Sequence, residues 1–264
     1  MPGGAGMLEV RGLTKHFDGL TALSDLDFSI RPGEIVGVIG PNGAGKTTLF
    51  NVLTGFLKPS GGQIRFQGQD IVGLKPSRIA GLGLVRTWQL VNLIGSQSVY
   101  DNLLTACHLQ YRIGLAGSIL GGRSSREEAR RVAGKAEELL VGMGLDRVKE
   151  ETASSLSHGL QRLLGVCLAL AARPRLLLLD EPAAGMSAAE TASLMERIEA
   201  IRREGLTVML VEHDMKVIMN TCDRIIVLNF GRKLAEGAPT EIAQNREVVT
   251  AYLGFENGGF DEAP

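Results

Sequence analysis

Gly40-Pro41-Asn42-Gly43-Ala44-Gly45-Lys46-Thr47 sets two glycines around four residues, directly ahead of Lys-Thr. That is the spacing of a phosphate-binding loop. Ile35-Val36-Gly37-Val38-Ile39 precedes it and reads as a buried strand, while Thr48-Leu49-Phe50-Asn51-Val52-Leu53 follows and reads as the start of a helix. Glycines in such a turn let consecutive backbone N–H groups face a phosphate without a Cβ in the way. The helix N-terminus adds its own unpaired donors. Lys46 can reach the β- and γ-phosphates, and Thr47 can hold Mg²⁺ through its hydroxyl. With 34 glycines in the chain, a fortuitous match is easier than usual. The strand before and the helix after are what give this one weight.

Working outward, the first segment reads as short strands. Leu8–Arg11 and Leu26–Ile30 alternate, Arg31-Pro32-Gly33-Glu34 is a turn, and Gln63–Phe66 alternates again after Lys58–Gly62. These place the loop inside a mixed sheet with antiparallel contributions. From about Gln89 to Gly165 the pattern turns helical. Asp101–Tyr111 is one candidate helix. A capping box at Ser125 and Glu128 opens another, with Val132, Ala136, Leu139, Leu140 and Met143 on one side. Leu160–Ala172 is a third. Strands then return at Leu176–Leu179, Val208–Val211 and Ile225–Leu228, with a helix capped by Ser187 and Glu190 between the first two. Strand and helix alternating at this spacing argue for a βαβ core.

Asp180 and Glu181 follow the apolar Leu176–Leu179 strand, at the end where ligands bind in an open α/β sheet. Asp180 is placed to hold a Mg²⁺ shell, and Glu181 to polarise a water against the γ-phosphate. His213 ends the next apolar strand and can touch the γ-phosphate and orient that water. Gln89, near the junction of sheet and helices, has an amide that could coordinate Mg²⁺ or the attacking water. Phe17 could stack on adenine, or simply belong to a satellite core.

The bulk numbers narrow the function further. The chain has 264 residues, 44% apolar, with 28 basic and 29 acidic side chains for a net charge of -1. That allows one substantial core and no long basic tract, so nucleic acid is not expected as the main partner. Cys107, Cys167 and Cys222 are isolated and fit small buried residues of a reducing compartment. No secretory leader is expected in the glycine-rich Met1–Met7 stretch. The longest apolar run, Leu163–Ala172, is far short of the ~18 residues of a membrane span. Attachment to a membrane would go through another protein.

Together these elements resemble the ATP-binding subunit of an ABC transporter, over residues 7 to about 255. The Walker A loop corresponds to Gly40–Thr48, the Q-loop to Gln89, the signature to Leu156-Ser157-His158-Gly159-Leu160-Gln161-Arg162, the Walker B carboxylates to Asp180-Glu181, and the switch histidine to His213. The resemblance implies a P-loop NTPase core of the ABC ATPase type, an α/β fold with an N-terminal antiparallel β-subdomain and an inserted helical subdomain. The core is expected over 1–87 and 166–256, the insert over 88–165, and a disordered tail over 257–264. It implies an ATPase with ATP and Mg²⁺ as ligands. Nucleotide contacts are expected at Phe17, Gly40, Asn42, Gly43, Gly45, Lys46, Thr47 and Thr48, metal contacts at Thr47, Gln89 and Asp180, and catalysis at Glu181, His213 and Gln89.

Ser157 and Gly159 precede a helix and can form a second anion site. In the family, the two sites belong to opposite subunits and sandwich ATP, which implies a head-to-tail pair, homodimer or heterodimer. His158 replaces the family's usual glycine, Leu160 its usual glutamine, and Phe17 the common tyrosine. The Ala183-Ala184-Gly185-Met186 loop lacks the usual aspartate. Val85–Gln89, Asp180–Met186, Leu210–Met215, Glu236–Pro239 and Tyr252-Leu253-Gly254 resemble the branched-chain amino acid importer ATPases in particular. That class implies two membrane permeases, an extracytoplasmic solute-binding protein, and a peripheral place on the cytoplasmic face of the bacterial inner membrane. Its relatives carry branched-chain or other amino acids, or urea and short amides. An exporter ATPase, such as one for lipopolysaccharide, and a non-hydrolysing docking module are the alternatives. Glu181 and His213 argue against the second. The apolar residues Leu90, Val91, Leu93, Ile94, Val99 and Tyr100 either pack the insert on the sheet or meet a permease helix.

Overall fold

The computed structural model describes residues 6–87, 93–108 and 123–256. Gln89, with Leu90 and Val91, and the tail from Asn257 lie outside the described residues.

Strands β1 (Leu8–Phe17) and β2 (Leu20–Ile30) form an antiparallel hairpin, extended by β4 (Gly61–Phe66) and β5 (Gln69–Asp70) into a sheet of order β2-β1-β4-β5. A second sheet contains β3 (Ile35–Ile39), β6 (Leu84–Arg86), β7 (Leu176–Asp180), β8 (Thr207–Val211), β9 (Arg224–Asn229) and β10 (Arg232–Gly237), in the order β10-β9-β3-β8-β7-β6. Within it β9, β3, β8, β7 and β6 run parallel, and β10 joins antiparallel at the edge. The loop therefore does not sit in one mixed sheet with the N-terminal strands. Those strands pair among themselves, because a hairpin closes with less chain than a crossover needs.

The two faces of the parallel sheet follow the period of two in its strands. Val36, Val38, Leu176, Leu178, Met209 and Ile226 join one core, with α1 (Lys46–Leu53) and the antiparallel sheet. Ile35, Ile39, Leu177, Leu179, Val208 and Ile225 join the other, with the helices of the middle and C-terminal parts of the chain. A strand buried on both faces reads as a continuous apolar run, which is why β7 is Leu-Leu-Leu-Leu.

Three helices pack together in the middle of the chain: α3 (Val99–His108), α4 (Arg123–Met143) and α5 (His158–Ala171). Val132, Ala136, Leu140 and Met143 of α4 are buried as its periodicity requires, with Leu139 partly so. Helix α4 starts ahead of Ser125, so that serine is not its cap. Leu93 and Tyr100 pack partly buried against this core and Val99 is fully buried, whereas Ile94 is exposed. Helix α2 (Pro76–Leu82) and strands β6 and β10 had no comparable signal in the sequence. The later helices are α6 (Ala188–Arg203), α7 (Met215–Thr221), α8 (Pro239–Gln244) and α9 (Arg246–Glu256). The capping box of Ser187 and Glu190 opens α6 as expected. All three cysteines are free and buried, and burial pushes the thiols of Cys167 and Cys222 up to about 12. No described helix is long and apolar enough to cross a membrane.

Candidate functional site

The Gly40–Thr47 loop leaves β3 and enters α1 directly. Gly45 is the N-cap residue of α1 in the left-handed region, φ 104°, and a Cβ there would lie 2.7 Å from Ala22 O. Gly40 has φ 154°, and its Cβ would run into Leu228 O. Both positions accept glycine for conformation and for space. No side chain caps the start of α1, so its first N–H groups remain for a ligand. Thr47 is exposed and Thr48 half-buried at this end.

Lys46 is buried, and its ammonium donates to Gly40 O at 2.5 Å and Pro41 O at 3.0 Å. Burial holds its pKa below the ordinary lysine value, while the carboxylates of Glu181 and Asp180 act in the opposite direction. Two of its three donors hold the loop's shape, and a third remains for a phosphate oxygen.

Glu181 and His213, 32 positions apart in sequence, meet: His213 Nε2 donates to Glu181 Oε1 at 2.7 Å. Adjacent parallel strands bring them together, since β7 and β8 pair through Asp180 and Val211. Glu181 has φ 49°, a left-handed turn that ends the strand. Glu212 was missed in the sequence. It is buried and accepts from Ala183 N at 2.8 Å and His213 N at 3.3 Å, tying the loop after β7 to the end of β8. Burial raises its pKa, against the lowering effect of those two bonds.

Asp180 is buried, and its Oδ2 accepts from Arg86 Nη2 at 2.5 Å. Arg86 also donates to Asn51 Oδ1 at 2.6 Å and lies over the Phe50 ring at 5.5 Å. This network across β6, β7 and α1 was not anticipated; an arginine beside the Q-loop was its trace in the sequence. The side chains of the ion pair are 4% and 5% exposed, so neither charge is well hydrated. Arg86→Met should leave Asp180 buried without its cation, at a cost of about 3 kcal/mol. Urea unfolding checks this, and restoration by an added Asp180→Asn would show that the loss lies in the unpaired charge. An unchanged midpoint in Arg86→Met would show that the pair carries no stability.

A cavity of roughly 410 Å³ joins these parts. Asn42, Gly43, Gly45, Lys46, Thr47 and Thr48 line one side, Glu181 and His213 another, and Phe17 stands at its margin with Leu20 and Phe230. Gly40 and Asp180 lie behind this surface. Ser157 and Gly159 do not line it. Ser157 caps α5, its Oγ accepting from Leu160 N at 3.3 Å. A Cβ on Gly159 would be 2.5 Å from Glu190 Oε1, and one on Gly185 would be 3.2 Å from His158 Nε2. The signature segment thus packs on the loop after β7 and the start of α6 of its own chain. His158 fills the space over a glycine, a contact that the family's usual glycine would leave open.

An ammonium within a glycine loop, an open helix N-terminus, and a carboxylate–imidazole pair facing both define a nucleoside triphosphate-hydrolysing class of protein. The ABC transporter family model matches residues 23–184, and the chain belongs to that family as one of its ATP-binding subunits, an ATPase coupled to transport. Residues 232–254 match the model for branched-chain amino acid ATP-binding cassette transporters. The chain is 43% identical to the high-affinity branched-chain amino acid transport ATP-binding protein LivG of Escherichia coli, over 94% of this chain and 98% of that one. It is 41% identical to BraF of Pseudomonas aeruginosa, over 94% and 98%. Among solved structures it is similar to the ADP conformation of MJ1267, an ATP-binding cassette of an ABC transporter. There the TM-score is 0.81 and the identity 27%, covering 94% of this chain and 99% of that one.

Proposed function

We propose that ATP hydrolysis at this cavity drives import of branched-chain amino acids, or of related amino acids or amides. The observation that carries the hydrolytic half is the 2.7 Å contact of Glu181 with His213, facing the loop of Lys46. The importer half rests on the match of residues 232–254 together with the LivG and BraF likeness over nearly the whole chain.

The loop N–H groups and Lys46 hold the triphosphate, and Phe17 stacks on adenine. Oxygen donors fit a hard cation, so Thr47, Asp180 and Gln89 would hold Mg²⁺, which when bound neutralises charge on the β- and γ-phosphates. Glu181 takes the proton of the attacking water on its second oxygen while His213 fixes the first. Ser157, with one hydroxyl proton still to donate, and Gly159 complete the site of an opposite subunit, in a homodimer or heterodimer. Ile94, exposed at the start of the helical region, is where a permease helix docks. Two permeases then hold the subunit on the cytoplasmic face of the membrane and receive solute from an extracytoplasmic binding protein.

The test is uptake into vesicles that hold this subunit with its own permeases, supplied with the cognate binding protein. ATP-dependent accumulation of leucine, isoleucine or valine is expected. Full ATP turnover with accumulation of none of these, nor of other amino acids or amides, would overturn the importer reading.

A further inference from the structure

Phe230 is a bulky side chain in an unusual setting. It sits in the turn between β9 and β10 with φ 45°, a left-handed conformation that Gly or Asn adopts at lower cost, and its two neighbours are Asn229 and Gly231. It is also 74% exposed, the highest value among the exposed large apolar side chains of the described residues. Phe230 is thus not a core residue.

Its surroundings supply a reason. Seven large apolar side chains of the described residues are exposed, and three of them, Phe17, Leu20 and Phe230, border the same cavity. Phe17 and Leu20 are register partners at the closed end of the β1–β2 hairpin. The turn bearing Phe230 is fastened to both neighbouring parts of the site: Gly231 N donates to Ala44 O in the phosphate loop at 3.0 Å, and Ser24 N of β2 donates to Gly231 O at 2.8 Å. The turn that carries Phe230 is therefore held beside the cavity before any ligand arrives. The ring of Phe17 already has the Lys15 ammonium 4.7 Å from its centroid, so one of its faces is taken and one is left for a base. A base on that remaining face still turns its other surface or edge to water unless something else covers it.

We infer that Phe230 is a second aromatic contact for the base of the bound nucleoside triphosphate, working with Phe17. The inference rests on the nucleotide reading of the cavity. Phe230 contributes affinity through the base and none through the phosphates, and it contributes before any step of hydrolysis.

Calorimetric titration of the full chain with ATP and with inorganic tripolyphosphate, both at fixed Mg²⁺, tests it. Phe230→Ala should weaken ATP binding about tenfold, the scale of one base–aromatic stack. It should leave tripolyphosphate affinity within about twofold, because that ligand has no base to stack. Phe230→Trp should keep ATP affinity at or above that of the unmodified chain. Unchanged ATP affinity in Phe230→Ala would overturn the inference, and so would equal losses for both ligands, which would mean a general disturbance of the phosphate loop. Failure of the unmodified chain to bind either ligand would instead overturn the nucleotide reading itself, and the inference with it.

Discussion

Lys46→Ala should lose ATP affinity by about a hundredfold or more, measured by equilibrium titration at fixed Mg²⁺. Two effects combine. The phosphate loses a charge-assisted donor held in a partly desolvated place, where such bonds are strongest. The loop also loses the bonds from the ammonium to Gly40 O and Pro41 O that hold its curve in the free protein. Lys46→Arg should not restore binding. A guanidinium is a wider, planar fork, and Lys46 is buried in a loop shaped around a compact ammonium. ATP affinity unchanged in Lys46→Ala would remove the basis for placing the triphosphate in this loop.

Glu181→Gln should keep ATP bound, with affinity within about threefold, while turnover falls by about a hundredfold to ten-thousandfold. The amide preserves size and can still bond to His213, but it has no basicity to take a proton from water. The contact made by Glu181 Oε1 to His213 in the free protein means that the substitution should not disturb the loop after β7, and thermal melting should show this. With ATP retained and hydrolysis stopped, the pair of subunits should also accumulate, visible by sedimentation as an ATP-dependent dimer. Hydrolysis at the parental rate would show that another group acts as the base. Hydrolysis lost together with ATP affinity would point to a role in binding.

Both substitutions probe residues that stood out in the sequence, and the reason is local geometry. The spacing from Gly40 to Thr47 encodes a turn, an ammonium and a helix start within one short segment. The apolar run Leu176–Leu179 encodes a strand buried on both faces, and Asp180 and Glu181 are conspicuous at its end. The box of Ser187 and Glu190 closes within one helical turn, so its two hydrogen bonds could be expected from the letters alone. The box at Ser125 and Glu128 has the same letters, yet α4 begins earlier. A capping pattern competes with helix propagation upstream, and Arg123 and Ser124 ahead of it do not stop a helix as Gly or Pro would.

The residues that escaped notice act across long stretches of chain. Arg86 and Asp180 are 94 positions apart and meet because β6 pairs with β7. Glu212 stands at a strand end, and the Ala183 N–H of the loop after β7 folds over it. Phe230 borders the cavity because the next residue, Gly231, is bonded to the phosphate loop. Leu93 and Ile94 are neighbours of equal hydrophobicity, and packing alone separates them into one partly buried residue and one exposed.

What the sequence determined by itself is the chemistry available and the elements that carry it: the phosphate loop, the apolar strands, the carboxylates and histidine at their ends, and the helical stretch between. Each rests on periodicity or spacing within roughly ten residues, where backbone geometry leaves few alternatives. The tertiary structure decided which of these groups share a cavity, which are held behind it, and that the signature serine does not line the cavity of its own chain. Those outcomes depend on strand order and on side chains that compete for the same burial. They are contacts between distant segments, and no local preference of either segment contains them.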